Sequence, residues 1–302
     1  MKLKDIRQTF VIGGLNIVIR SPQNLPFLND DRFDPFRGDT TAADICWDYQ
    51  IILPADLILP PLDPESDTLL AQACRIGRES PLLAATQVKA SLEQAREHAD
   101  QLVVEMHQEA VTILDFSTHR ADMFFNPDFG NQLRQHCIGP AMLALFMPHF
   151  SAMLLHASAV VRKGKTAVFL APDEGGKTTA ARNSPEGTIL CDDQVLVRQT
   201  HGGFQASGTP WGLYCNSKLQ APLSGLFLLE KSGHFALNPL PPKELSRYLW
   251  EEHKNQLAIL PPPLQAKARE ITVAISNSVP SWKLSFSKDT IDWEAIDNAM
   301  AL

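Results

Sequence analysis

A chain of 302 residues with a formal net charge of −7 and a pI near 5.7 has no general basic face, which excludes ordinary nucleic-acid binding. Its 44% hydrophobic and 20% charged residues are those of a globular protein of one large or two ordinary domains, long enough to bury a core without staples. The five cysteines, Cys46, Cys74, Cys137, Cys191 and Cys215, show no CxxC or Cys/His spacing, so reduced thiols in a cytoplasmic protein are expected rather than a disulfide frame or a zinc site.

Met1 to Asp5 opens no apolar signal core, and runs such as Ala141 to Phe146 are too short to cross a bilayer, so no membrane partner is expected. Thr9 to Ile12, Gly13-Gly14 and Leu15 to Ile19 read as a hairpin with a glycine turn. Proline and aspartate crowd Ser21 to Pro64, which reads as irregular connections around a strand-like Ile51-Ile52-Leu53. Between Val88 and Met106 the apolar residues Leu92, Ala95, Ala99, Leu102 and Met106 recur at helical spacing, yet Val103-Val104 could equally open a strand. Val111 to Phe116 and Met123 to Phe125 read as strands around a polar turn. Helices are expected from about Phe129 to Cys137 and from about Pro140 to Met147.

From Met153 the pattern changes. Met153 to Val161 and Thr166 to Leu170 read as two strands joined at Lys163-Gly164, the second apolar throughout, as a buried strand is. A glycine-rich loop, a helix from Lys177 and a short strand Thr188 to Cys191 follow. Further strands are expected at Gln194 to Arg198, Phe204 to Ala206, Leu226 to Leu229 and Ser281 to Phe286. Pro241-Pro242 starts a helix to about Trp250, Pro261-Pro262-Pro263 reads as a stiff connection, and Asp292-Trp293 opens a last helix. Trp211 and Trp282 read as turn or core anchors. The expected class is α/β (α+β), with a strand-rich domain over residues 1–140 and a nucleotide-binding domain with a mixed sheet over 141–302.

One segment carries chemistry. Ala171-Pro172-Asp173-Glu174-Gly175-Gly176-Lys177-Thr178-Thr179 follows an apolar strand and precedes a helix. It fits the phosphate-loop pattern G-x-x-x-x-G-K-[ST], with Ala171 in place of the first glycine. Backbone N–H groups of such a loop point at phosphates, and Gly175 and Gly176 allow close approach. Lys177 can bridge the β- and γ-phosphates of ATP, and the Thr178 hydroxyl can bind magnesium. Asp173 and Glu174 would repel phosphates if they faced inward, so they are expected to face solvent. Asp192-Asp193 ends the next strand, where one carboxylate can take the metal and its neighbour a hydroxyl proton.

A strand bearing His156, a hairpin, the loop with Gly176, Lys177 and Thr178, and a strand ending Asp192-Asp193 resemble the C-terminal domain of HPr serine kinase/phosphorylase. Gly176 to Thr179 is also similar to the kinase loop of PEP carboxykinase. Closer still is the resemblance to HPr-kinase-like proteins of peptide-modification cassettes, including the SynChlorMet cassette protein ScmC group. It is carried by Leu155-His156-Ala157-Ser158-Ala159-Val160-Val161, the loop, Asp192-Asp193, the turn Gly208-Thr209-Pro210-Trp211-Gly212, and Val279-Pro280 through Trp293. The resemblance implies His156 near the γ-phosphate, Lys177 on the phosphates, Thr178 on magnesium, and Asp192 and Asp193 as base and metal ligand; Asp192 is the first choice as base and Asp193 as metal ligand, an order within the pair that the sequence does not fix. It further implies ATP and magnesium, a Ser or Thr acceptor on a peptide or small protein, and a homo-oligomer. The family loop carries further glycines and a serine where this chain has Ala171, Asp173 and Glu174. A non-catalytic nucleotide-sensing or peptide-binding module is the second expectation. A carboxykinase is the weakest, since no clear His/Lys/Asp metal set and substrate arginine stand out.

Overall fold

The computed structural model describes residues 6–21, 31–39, 42–51, 101–106, 110–125, 140–212, 214–215, 219–287 and 291–301. The expectations for Ile52-Leu53, for residues 88–100 and for a helix at Phe129 to Cys137 lie outside these residues. The class is α+β, with a strand-rich first part and two mixed sheets.

Gly13 (φ 59°) and Gly14 (φ 76°) both adopt left-handed backbone and fold β1 (Ile6–Ile12) onto β2 (Leu15–Ser21). Two positive φ values in a two-residue loop match the right-handed twist of the flanking strands. The turn also touches the second sheet, because a Cβ on Gly13 would lie 2.1 Å from Cδ2 of Leu196. Next to β2 run β3 (Ile45–Ile51) and then β6 (Arg120–Phe125), each parallel to its predecessor. The antiparallel strands β5 (Ala110–Asp115) and β4 (Gln101–Met106) complete a six-stranded sheet ordered β1-β2-β3-β6-β5-β4. Val103-Val104 is therefore strand, because its backbone is claimed by the ladder to β5.

Helix α1 (residues 140–146) leads through a 3-10 turn, Met147–Phe150, into the second sheet. Its strands are β7 (Ala152–Arg162), β8 (Lys165–Leu170), β9 (Thr188–Cys191), β10 (Gln194–Thr200), β11 (Gly203–Ser207), β12 (Gln220–Lys231), β13 (Ala236–Pro239) and β14 (Ser281–Phe286). They are ordered β11-β10-β7-β8-β12-β14-β13, with β9 on β7 and β11 also paired to β12. Strands β8, β12 and β14 are mutually parallel, and nearly all of β7 and β8 is buried, as the apolar runs require. Helix α2 (Lys177–Arg182) lies against β7 and β8.

Two helices are longer or newer than the sequence reading. Helix α3 (Pro242–Leu257) runs past Trp250, because Leu245, Leu249, His253 and Leu257 keep one buried stripe through a polar stretch. The triproline is a helix start and not a stiff connection. Pro261 caps α4 (Pro262–Ser278), and the missing N–H groups of Pro262 and Pro263 fall in the first turn, where helices leave them unused. Ala268, Ile271 and Ile275 turn inward, and Thr272 Oγ1 meets Met153 Sδ of β7 at 3.3 Å. The last helix, α5 (Trp293–Ala299), is capped by Asp292, which accepts from the Ala295 N–H. Trp211 packs edge-on against Phe33, and Trp282 stacks on Phe227 at 5.1 Å, both as anchors. No helix among the described residues is long and apolar enough to cross a membrane.

Helix α5 is pinned to the β7–β8 turn by charge. Arg162, with an 8% exposed side chain, donates to Asp297 through Nε (2.7 Å) and Nη2 (3.0 Å), and its guanidinium lies over the Trp293 ring. Lys163 Nζ adds a contact at 2.9 Å. These donors hold the Asp297 carboxyl below its ordinary value, at about 2. A depressed carboxyl contributes stability above its unfolded value, and the contribution is lost as pH falls toward the folded one. Asp297→Asn is expected to cost about 1–3 kcal/mol at neutral pH, because it leaves a buried guanidinium short of its anion. Urea melts of the two proteins should converge as the pH drops toward 2.

Candidate active site

The loop between β8 and α2 is shaped by contact with itself. Gly175 N–H donates to Pro172 O at 3.0 Å. A Cβ on Gly175 would fall 2.4 Å from the Ala171 Cβ and 2.8 Å from Pro172 O, so only glycine closes this turn. Glu174 (φ 59°) and Gly176 (φ 99°) take left-handed backbone beside it. Ala171 stays out of the hollow that the loop forms. Its side chain is buried in the core and only its carbonyl takes part, accepting from Lys177 Nζ at 2.8 Å. The same ammonium donates to Pro172 O at 3.1 Å. Burial pushes the Lys177 pKa below its ordinary value, against the pull of Asp173 and of the other nearby carboxylates. From the strand behind, buried Ser158 Oγ donates to the Lys177 carbonyl at 2.6 Å and fixes the start of α2.

Strand register brings the remaining residues to this loop. His156 of β7 lies opposite Gln194 of β10, so the turn that joins β9 to β10, Asp192-Asp193, falls beside the imidazole. The Ala157 N–H donates to Asp193 O at 2.9 Å and locks that placement. His156 Nε2 is 3.3 Å from Asp193 Oδ1 and 3.4 Å from Asp173 Oδ1, while Nδ1 is 3.4 Å from Glu252 Oε1. The hydrogen bond with Asp193 raises the His156 pKa above its ordinary value, more than burial and the Lys177 charge lower it. Asp193→Asn should bring the imidazole titration to lower pH, followed by NMR of the ring protons. An unchanged midpoint would contradict the pairing.

Asp192 is buried, and its Oδ1 accepts from the Tyr214 N–H at 3.2 Å. Thr178 Oγ1 lies 3.4 Å from the Asp192 carbonyl. His156, Asp173, Glu174, Gly175, Gly176, Lys177, Thr178, Thr179, Asp192 and Asp193 together line one hollow of about 280 Å³. The structure thus brings together every residue singled out in the sequence except Ala171. Asp173, 89% exposed, stands at the rim, and Glu174 is also exposed. Glu252 is new. The signal that could have found it is the Leu245/Leu249/His253/Leu257 stripe, which carries α3 on to the histidine.

Four carboxylates, Asp173, Glu174, Asp192 and Asp193, line the hollow against Lys177 and His156. A polyphosphate entering such a wall needs a cation with it. Magnesium fits the donors present. It takes oxygen ligands, is commonly held by one or two carboxylates plus phosphate, and keeps several waters. Thr178 Oγ1 and the half-exposed Asp193 carboxylate are donors of that kind. Among the described residues no group of three His, Cys, Asp or Glu is placed to hold a metal alone.

No curated protein matches the chain. A family model, the SynChlorMet cassette protein ScmC, matches residues 145–301, more than half of the chain and all ten residues of the hollow. The chain belongs to the SynChlorMet cassette protein ScmC family.

Proposed function

We propose that this chain is an ATP- and magnesium-dependent kinase of the HPr-kinase and PEP-carboxykinase P-loop type, which moves the γ-phosphoryl group to a Ser or Thr hydroxyl of a peptide or small protein. The observation that carries this reading is the convergence of the loop, the Lys177 amine, the Asp192-Asp193 turn and His156 on one hollow from separate strands and loops.

The roles follow from position. Gly175 and Gly176 let loop amides approach the phosphates. Lys177 leaves its two carbonyl seats and neutralises charge on the β- and γ-oxygens. Thr178 and Asp193 would hold magnesium, which when bound supplies further neutralisation of phosphate charge. Asp192 accepts the proton of the acceptor hydroxyl as its oxygen bonds to phosphorus and the bond to the leaving ADP oxygen breaks. His156, whose pKa the hydrogen bond with Asp193 raises above its ordinary value, sits beside the loop where its protonated form can donate to a phosphoryl oxygen. The acceptor enters over Asp173 and Asp193, at the exposed rim. In this reading residues 141–302 form the kinase domain and residues 1–140 a separate strand-rich one.

A second reading is a non-catalytic nucleotide sensor, favoured by the acidic loop and by the satisfied Lys177 amine. Incubation with γ-labelled ATP and a panel of Ser- and Thr-containing peptides separates the two. Label on a peptide supports the kinase. Saturable nucleotide binding without label on any acceptor would overturn it in favour of the sensor.

A further inference from the structure

The two thiols behind Asp192 form a unit that the chemistry above leaves unused. Cys191 ends β9 and Cys215 lies across from it in an isolated antiparallel bridge. Their sulfurs stand 3.6 Å apart, with Cys191 buried and Cys215 partly exposed. Cross-strand backbone neighbours have the Cα spacing a disulfide needs, so closing the sulfurs to about 2.05 Å takes only small side-chain rotations. The surroundings leave room for little else. A Cβ on Gly212 would sit 3.2 Å from each sulfur and 2.6 Å from Asp192 Oδ1. The glycine turn, both thiols and the Asp192 carboxylate are therefore packed on one another.

We propose that Cys191 and Cys215 are a reversible dithiol–disulfide pair that closes under peroxide and clamps the Asp192 side of the hollow. The step balances. Two S–H bonds and the peroxide O–O bond break, one S–S bond forms, the pair gives up two electrons and two protons, and peroxide leaves as two waters. Cys215 is the thiol nearer solvent, while the thiolate character lies on Cys191, whose pKa the hydrogen bond from Cys215 holds below its ordinary value, so the pair reacts as a unit. Closure ties the end of β9, one residue before Asp192, to the segment whose Tyr214 N–H already holds Asp192 Oδ1. That fixes the carboxylate on the backbone amide and withholds it from a hydroxyl. The effect on transfer rests on the kinase reading, whereas disulfide formation does not.

Arg198 lies between the two cysteines, so trypsin places them on separate peptides. The full-length chain is treated with hydrogen peroxide, digested without reductant and mapped by mass spectrometry. A Cys191–Cys215 linked peptide that dithiothreitol releases is expected. Oxidised wild type should melt on the order of 5 °C above the reduced protein. Cys215→Ser should show neither change. Sulfinic acid at either cysteine without the linked peptide, or a melting shift that survives in Cys215→Ser, would overturn the pair. With the pair closed, phosphoryl transfer should fall at least tenfold and recover on reduction, and unchanged transfer would overturn the clamp while leaving the disulfide in place.

Discussion

Lys177→Ala is expected to cut γ-phosphoryl transfer by a factor of about 10²–10³ or more while the chain stays folded, since removing one preorganised charge-stabilising donor costs that much. The lysine stem is buried, and its ammonium bridges Ala171 O and Pro172 O across the loop it serves. Truncation leaves those carbonyls without their donor, a local loss of about 1–3 kcal/mol. The rest of α2 stays held by Ser158 and by the buried Ala180 and Ala181. A modest fall in melting temperature should therefore accompany a large fall in rate. Circular dichroism and the labelled-ATP assay measure the two separately. Transfer within twofold of wild type would remove Lys177 from the chemistry.

Phe169→Ala should give the largest loss of stability. Phe169 is fully buried on β8, one residue before the end of the strand that delivers the loop. Its ring meets Phe227 of β12 at 5.7 Å and the edge of Trp293 of α5 at 5.9 Å. It therefore joins two parallel strands to the last helix, in the cluster that also holds Ala171, Ala180 and Phe286. Truncating a buried phenylalanine costs about 3–5 kcal/mol, from lost transfer energy and from the cavity left behind. Against a total of about 5–15 kcal/mol the variant is left marginal. Phe286 from the same cluster packs within 3.0 Å of where a Gly176 Cβ would stand, so a loosened core also loosens the loop. Denaturant melts at constant m-value should show the loss, and a change under 1 kcal/mol would contradict this picture of the core.

The parts of this fold legible from sequence are those whose signal is local. Gly13-Gly14 specify a two-residue turn by their freedom at positive φ, and the hairpin follows. The unbroken apolar runs of β7 and β8 announce buried strands whatever surrounds them. The hollow was legible for the same reason, since its loop is a contiguous segment and Asp192-Asp193 follows within one helix and one strand. What escaped depends on tertiary context. Helix α4 hides behind three prolines that read as rigid spacing until Pro261 is seen as a cap. Glu252 reaches His156 from 96 residues away, in a polar stretch whose helical character rests on buried His253 and Leu257. The Cys191–Cys215 pairing depends on a backbone bridge that no Cys spacing encodes. Ala171 takes part differently from the loop residues after it. The motif placed it among the phosphate contacts, but the strand end draws its side chain into the core and leaves only the carbonyl in play.

Under the proposed function the loop binds polyphosphate together with a cation. Titration calorimetry of the wild-type chain with ATP, with and without magnesium, puts that to the test most directly. Saturable one-site binding that requires magnesium and weakens at least tenfold in Lys177→Ala is the expected result. No heat at millimolar Mg-ATP from a folded protein, or equal affinity for metal-free ATP despite the four carboxylates of the hollow, would contradict it.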